Sequence, residues 1–305
     1  MPLLGLGTWK SSPGEVYAAV KEAIRAGYRH IDSAAIYKNE KEVGQAISEL
    51  IGEGVVRRED LWITSKLWND SHHEEDVRPA LEETLSNFQL DYLDLYLMHW
   101  PVAIRKGLDF PRKPEDMIPL EEIPLLTTWE AMIPLKDDGL VRHLGVSNFN
   151  VPKLKHLLDG SSEKPEMNQV EMHPYLVQKE LTRFAKDHSI HLTAYSPLGS
   201  GDRPTAQRDG LPVLLQNKVV KDIAHKKNAT PAQVLISFQL SRGISVIPKS
   251  VNPQRIRENY EARHVVLSDE EINELEDLDE GMRYLNGGIW VKEGSPYTLQ
   301  SLWEE

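Results

Sequence analysis

The chain has 305 residues, 40% of them hydrophobic and 27% charged, the composition of a globular protein able to bury a full core rather than of a disordered chain. Lys and Arg number 35 against 47 Asp and Glu, a net charge of −12 that repels a phosphate backbone and argues against nucleic acid as a partner. Cysteine is absent, which removes disulfides and thiolate chemistry, and the apolar start meets Trp9 and Lys10 too early for a signal peptide or a membrane span, so a cytoplasmic monomer without membrane contact is expected.

Short runs rich in β-branched and aromatic residues recur along the chain, each followed by a stretch of helical periodicity, the pattern of parallel βα units. They lie at Leu3–Gly7, Tyr28–Asp32, Leu61–Lys66, Leu93–His99, His143–Ser147, Met167–Glu171, His191–Ser196 and Ile244–Pro248. Eight such units predict an α/β chain folded as a (β/α)8 TIM barrel, a single domain over residues 1–305 with its active site at the C-terminal face of the strands.

The first helix is predicted from Ser12-Pro13-Gly14-Glu15, a capping box with Pro at the first helical position, with Val16, Val20 and Ile24 on one face and Gly27 as its stop. Val43, Ala46, Ile47, Leu50 and Ile51 make a second stripe, and Val77, Leu81 and Leu85 a third. Thr230-Pro231 opens a helix through Val234, Leu235 and Phe238 that Gly243 closes. Within the acidic run 268–280, Ile272, Leu275 and Leu278 keep helical spacing and imply a solvated helix face. Three segments break the repeat and are expected to be irregular and functional: Val102–Pro124, Gly199–Pro212 and the tail 281–305, the last lying near the substrate pocket.

Polar residues gather at the predicted strand ends. Asp32 closes the second strand with Tyr37 just beyond it, Lys66 closes the third and His99 the fourth. Neighbouring strands lie roughly 5 Å apart, so these four side chains can meet at one point. A tyrosine that must release a proton near neutral pH is helped by an adjacent lysine cation, which Asp32 would hold and aim, while His99 can hydrogen-bond a carbonyl oxygen and share in proton delivery. That is general acid chemistry for a carbonyl becoming an alkoxide, and it lacks only a hydride.

The segments Gly5-Leu6-Gly7-Thr8-Trp9, His30-Ile31-Asp32-Ser33-Ala34 with Tyr37, Ile63-Thr64-Ser65-Lys66-Leu67, Met98-His99-Trp100-Pro101, Gly145-Val146-Ser147-Asn148-Phe149, Tyr195-Ser196-Pro197-Leu198-Gly199 and Ile247-Pro248-Lys249-Ser250 together resemble the motifs of the aldo-keto reductases, in their order, from about Leu3 to Asn286. The resemblance implies NADPH-dependent reduction of aldehydes and ketones, NADH being accepted more weakly, with Asp32, Tyr37, Lys66 and His99 as the tetrad. It implies that the nicotinamide stacks on Tyr195 while Ser147, Asn148 and Gln169 bind its carboxamide, and that Ser196, Leu198 and Ser200 contact the pyrophosphate. Lys249, Ser250, Arg255, Glu258 and Asn259 would form the adenosine 2′-phosphate site, and Gly7, Thr8 and Trp9 complete the cofactor set. Trp9, Trp68, Trp100 and Trp290 are the candidate walls of a pocket for a small carbonyl substrate. The family usually opens with a short β-hairpin, whereas this sequence starts almost directly at its first strand.

Other chemistries fit less well. There is no His-x-His at a strand end and no His-Glu-x-x-His, so no metal site is expected, and His72-His73 falls at a helix start where exposure is the ordinary outcome. Gly145-Val146-Ser147-Asn148-Phe149 lacks the second glycine of a nucleophile elbow. Gly5-Leu6-Gly7 has Lys10 where a Rossmann fingerprint needs its third glycine. A nicotinamide-binding sensor on the same barrel remains the non-enzyme alternative, and a complete tetrad speaks against it.

Overall fold

Strands and helices alternate through a computed structural model that describes residues 1–200 and 212–304. Most of the loop between Gly199 and Pro212, expected to close over the pyrophosphate, lies outside the described residues. The barrel strands are β1 (Leu6–Gly7), β2 (His30–Asp32), β3 (Trp62–Leu67), β4 (Leu93–Met98), β7 (Val141–Ser147), β8 (Met167–Glu171), β9 (His191–Tyr195) and β10 (Ser245–Val246), parallel and hydrogen-bonded in that order. Gly5 N and Gly7 N donate to the carbonyls of Val246 and Pro248, and Val246 N donates to that of Leu3, so first and last strands meet and the sheet closes. At this seam a Cβ on Gly7 would stand 2.8 Å from the Ile247 carbonyl oxygen, so glycine is what allows the closure. The two seam strands are shorter than the runs predicted for them, because pairing there is interrupted after two residues.

The helical stripes are buried as their spacing requires. Val16, Val20 and Ile24 of Glu15–Ala26 are almost fully covered, as are Val43, Ala46, Ile47 and Leu50 of Glu40–Gly52 and Val77 and Leu81 of Glu74–Phe88. Thr230 caps Pro231–Ser241 by accepting from Gln233 N, whose own side chain returns the bond. The first helix differs from its prediction. It starts at Glu15, not Pro13, because Gly14 sits in the left-handed region at φ 82°, and only half the capping box forms: the Glu15 side chain accepts from Ser12 N, while Glu15 N donates to the Ser12 carbonyl in place of its hydroxyl. His72 also departs from expectation. It is 1% exposed, packed beneath the Leu125–Asp137 helix whose Thr128 hydroxyl donates to the His72 carbonyl.

Helices Glu40–Gly52 and Glu74–Phe88 touch at Gly44, where a Cβ would lie 2.5 Å from the Phe88 backbone. Backbone on both sides leaves no flexible atom to yield. Gly44→Ala is therefore expected to destabilise the fold by about 1–3 kcal/mol, the usual cost of overpacking, despite alanine's better helix propensity. Thermal unfolding checks this, and a variant at least as stable as the parent contradicts the close approach.

Two of the segments read as irregular acquire structure. Within 102–124, β5 (Ala103–Ile104) and β6 (Met117–Ile118) form an antiparallel hairpin. The tail contains a 3-10 turn at Gly288–Trp290 and a short helix, Leu299–Trp303, capped by Thr298. Tyr297 joins them: its hydroxyl accepts from Ala103 N at 2.9 Å and donates to the Ile118 carbonyl at 2.5 Å. Val102, Ile104, Met117, Trp290, Tyr297, Leu302 and Trp68 make a small apolar core of their own beside the barrel mouth. Among the described residues no helix is long and apolar enough to cross a membrane.

Candidate active site

Asp32 ends β2 and lies beside Thr64 of β3; two residues further along β3, Lys66 is wholly buried. A buried lysine needs partners for all three of its protons. Lys66 Nζ finds Asp32 Oδ1 at 2.7 Å, the Ser33 carbonyl at 2.7 Å and the Tyr37 hydroxyl at 3.4 Å. Tyr37 reaches this point because the chain turns sharply after Ala34 into a 3-10 turn, Ala35–Tyr37. The turn is pinned from the first strand: Thr8 donates to the Asp32 carbonyl and the Ser33 hydroxyl, and Asn39 donates back to the Thr8 carbonyl at 2.9 Å. His99 follows β4, its backbone N–H bound to the Leu67 carbonyl, with its ring 5.9 Å from Tyr37 and 5.1 Å from Trp68, edge-on to both. The four predicted residues thus converge.

Their protonation departs from the simplest expectation. Burial, with the Asp32 charge adding to it, raises the Tyr37 hydroxyl well above the ordinary phenol value, so the nearby lysine does not produce a resting tyrosinate. Burial lowers Lys66 against the opposing pull of Asp32. His99 is pushed well below its usual value by burial and then by Lys66 and His72, which leaves a neutral imidazole at pH 7.

On the neighbouring strand ends, Ser147 donates to the Gln169 carbonyl at 2.8 Å, and Asn148 donates to the His99 carbonyl at 2.9 Å while its side-chain oxygen accepts from the Tyr195 hydroxyl at 2.7 Å. Asn148 is left-handed, at φ 64°. Gln169 Nε2 is bound to Asp32 Oδ2 at 2.6 Å, so this amide is tied to the tetrad. Ser196 and Ser200 also have positive φ and share a hydroxyl bond of 2.7 Å, and Leu198 between them is half-buried. Beyond β10, Lys249 is exposed at the barrel seam beside Gly7 and Arg255 is exposed in the first turn of the Pro253–Glu261 helix, which Asn252 caps; Lys249 donates to the Lys10 carbonyl, and Asn259 is buried. Glu258 accepts from Gln254, and Arg257 turns away to Glu22 at 2.6 Å. A half-buried aromatic ring flanked by amides, followed by hydroxyls and then by exposed cations at a helix start, fits the parts of a nicotinamide dinucleotide.

The tryptophans separate. Trp9 is 37% exposed and near Tyr37, with ring centroids 6.4 Å apart, whereas Trp68 is buried against the His99 ring and Trp100 is half-buried. Trp290 is only 1% exposed, wedged 5.8 Å from both Trp68 and Trp100, so it backs the other rings more than it presents a surface. Phe110, 45% exposed and edge-on to Trp68, and Trp303, 5.8 Å from Trp100, complete the aromatic group. Sequence reasoning missed both, since neither sits at a strand end and their only signal was membership of a segment that broke the repeat.

Comparisons with known proteins identify the family and the fold. The family described as Aldo/keto reductase matches residues 3–280. An aldo/keto reductase of Synechocystis sp. is 50% identical over all of this chain and 94% of its own, and aldo-keto reductase family 1 member A1 of Bos taurus is 50% identical over 93% of this chain and 88% of its own. The solved aldose reductase of Schistosoma japonicum superimposes with a TM-score of 0.87 at 41% identity, covering 95% of this chain and 92% of that one. With eight parallel strands closed into a barrel and these relatives along its whole length, the chain belongs to the aldo-keto reductase family, oxidoreductases of small carbonyl compounds.

Proposed function

We propose that the protein reduces aldehydes and ketones to alcohols with NADPH, with Tyr37 as the proton donor, and that residues 1–305 form one reductase unit whose tail helps to wall the substrate pocket. The observation that carries this reading is Lys66, buried without solvent and bound at once to Asp32 and to the Tyr37 hydroxyl. Bound NADPH supplies a hydride to the carbonyl carbon. Tyr37, held protonated at rest by its burial, passes its proton to the carbonyl oxygen as negative charge develops there, and the resulting phenolate lies against the Lys66 ammonium. Asp32 keeps that ammonium charged and aimed. Neutral His99 offers an N–H to the substrate oxygen without bringing a competing cation. Gln169, bonded to Asp32, links the carboxamide subsite to the proton donor's support. Turnover of simple aldehydes followed by NADPH absorbance tests the reading. A protein that binds NADPH and reduces no aldehyde, ketone or sugar would instead be a sensor on the same barrel.

Cofactor choice rests on Lys249 and Arg255, exposed cations beside the adenosine end. NADPH is expected to bind at least about tenfold more tightly than NADH at low salt, with the gap narrowing toward 0.5 M salt as the 2′-phosphate contacts are screened. Fluorescence titration of both nucleotides measures this, and equal affinities at low salt would remove the two residues from the site.

A further inference from the structure

The tail from Tyr284 to Trp303 carries Trp290 and Trp303, yet among the described residues no barrel strand pairs with it as a sheet partner. Two buried charged side chains hold its main chain instead. Glu171, the last residue of β8, is fully buried; Oε1 accepts from Tyr284 N at 2.7 Å and Oε2 from Leu285 N at 2.8 Å, with His173 Nε2 also 2.8 Å from Oε1. At the other end Lys153, 8% exposed at the start of the helix after β7, donates to the carbonyl of Ser301 and, at 3.4 Å, to that of Leu302. The carboxylate gathers main-chain donors where the tail begins, and the ammonium gathers main-chain acceptors where it ends. Burying either charge is unfavourable unless such groups surround it, and hydrogen bonds to ions are the strong ones.

Trp290 lies between these anchors and Trp303 just beyond the second, and both pack against the Trp100 ring. Trp303 stands 5.8 Å from Trp100, fixed by its Nε1 bond to the Asn286 carbonyl at 2.8 Å, and the Arg283 guanidinium lies 3.7 Å over its face. Trp290 backs Trp68 and Trp100. Among the described residues no hydrogen bond joins Glu171 to Asp32, Tyr37, Lys66 or His99.

We infer that Glu171 and Lys153 are positioning residues for substrate selectivity, which pin the two ends of the tail so that its aromatic wall stands preformed at the pocket. The inference rests on the reductase reading above for its substrate side and on geometry alone for the pinning. Glu171→Gln replaces one acceptor with an NH2 that must face a tail N–H, and Lys153→Met removes the donor while keeping much of the stem.

The test uses the full chain as wild type, each single variant and the double variant. kcat/KM with NADPH is measured for propanal and for a bulky aromatic aldehyde, NADPH affinity by fluorescence, and hydrogen exchange across the tail. Each single variant is expected to change the bulky-to-small ratio of kcat/KM by at least about fivefold, chiefly through KM, with NADPH affinity within about twofold. Amide protection is expected to fall at Tyr284 and Leu285 in Glu171→Gln and in the helix at 299–303 in Lys153→Met. A ratio unchanged within about twofold, a proportional loss on both aldehydes, or protection lost throughout the barrel would each overturn the inference. A wild type that reduces neither aldehyde would overturn the reductase reading instead, and the exchange pattern alone would then decide whether the two residues pin the tail.

Discussion

Tyr37→Phe is expected to lower kcat for aldehyde reduction by about 10²-fold or more, the lower end of what a positioned general acid contributes, while NADPH affinity stays within about twofold. The substitution removes one hydroxyl and keeps the ring that packs near Trp9 and His99. Lys66 loses its longest bond, 3.4 Å to the Tyr37 hydroxyl, and retains its two shorter ones, to Asp32 and the Ser33 carbonyl, so most of the buried cation's support remains and the fold should survive. The loss then reports proton donation alone. It should persist at every pH between 6 and 8, because burial holds Tyr37 protonated and His99 neutral across that range, and His99 cannot take over as a charged acid. Steady-state kinetics on propanal decide the matter. A variant keeping more than about a tenth of the parental kcat, a barrier change under about 1.4 kcal/mol, would mean that the proton comes from elsewhere.

Acid is expected to unfold this protein steeply, and histidines are the cause. Burial pushes His30 down to about 4 and His72 down to about 3, and lowers His191 and His99 as well. In the unfolded chain these rings titrate near 6.5, so below that pH the unfolded state binds protons that the native state refuses. Stability must therefore fall as pH falls, from about 6.5 downward, until each folded-state value is reached. Each ring contributes a slope of about 1.4 kcal/mol per pH unit once fully engaged, so His30 and His72 together remove about 3 kcal/mol per unit near pH 5, a large share of a typical 5–15 kcal/mol. Glu40 acts in the opposite sense, since burial raises its carboxyl despite bonds from Ser65, Thr84 and Asn87, and this offsets part of the slope. Urea unfolding at pH 7, 6 and 5 measures the effect. His72 offers the cleanest control: both ring nitrogens are buried without a hydrogen bond among the described residues, so His72→Leu should flatten the pH dependence by about one proton. An unchanged slope in that variant would show that His72 is not a source of the acid sensitivity.

Much of the fold was legible because its signals are local. Eight apolar runs at helix-separated intervals, stripes such as Val16, Val20 and Ile24, and the Thr230-Pro231 cap each depend on residues within a turn or two of one another. The convergence of Asp32, Tyr37, Lys66 and His99 was legible for a related reason. A parallel barrel places successive strand ends side by side, so order in the chain becomes proximity in space.

What only the tertiary structure decided involves partners far apart in sequence. His72 was expected at the surface because a helix start is usually exposed, and it is buried because a helix some fifty residues later covers it, with Thr128 bonded to its carbonyl. The tail looked irregular because glycines and polar residues hide its pattern, and its order comes from outside: Tyr297 bridges the hairpin's strands, Glu171 binds its first amides and Lys153 its last carbonyls. The proton state of Tyr37 is the sharpest instance. Sequence supplies a lysine beside a tyrosine and so argues for a lowered value, whereas burial of the hydroxyl outweighs the cation, and burial is a property of everything packed around it rather than of any neighbour in the chain.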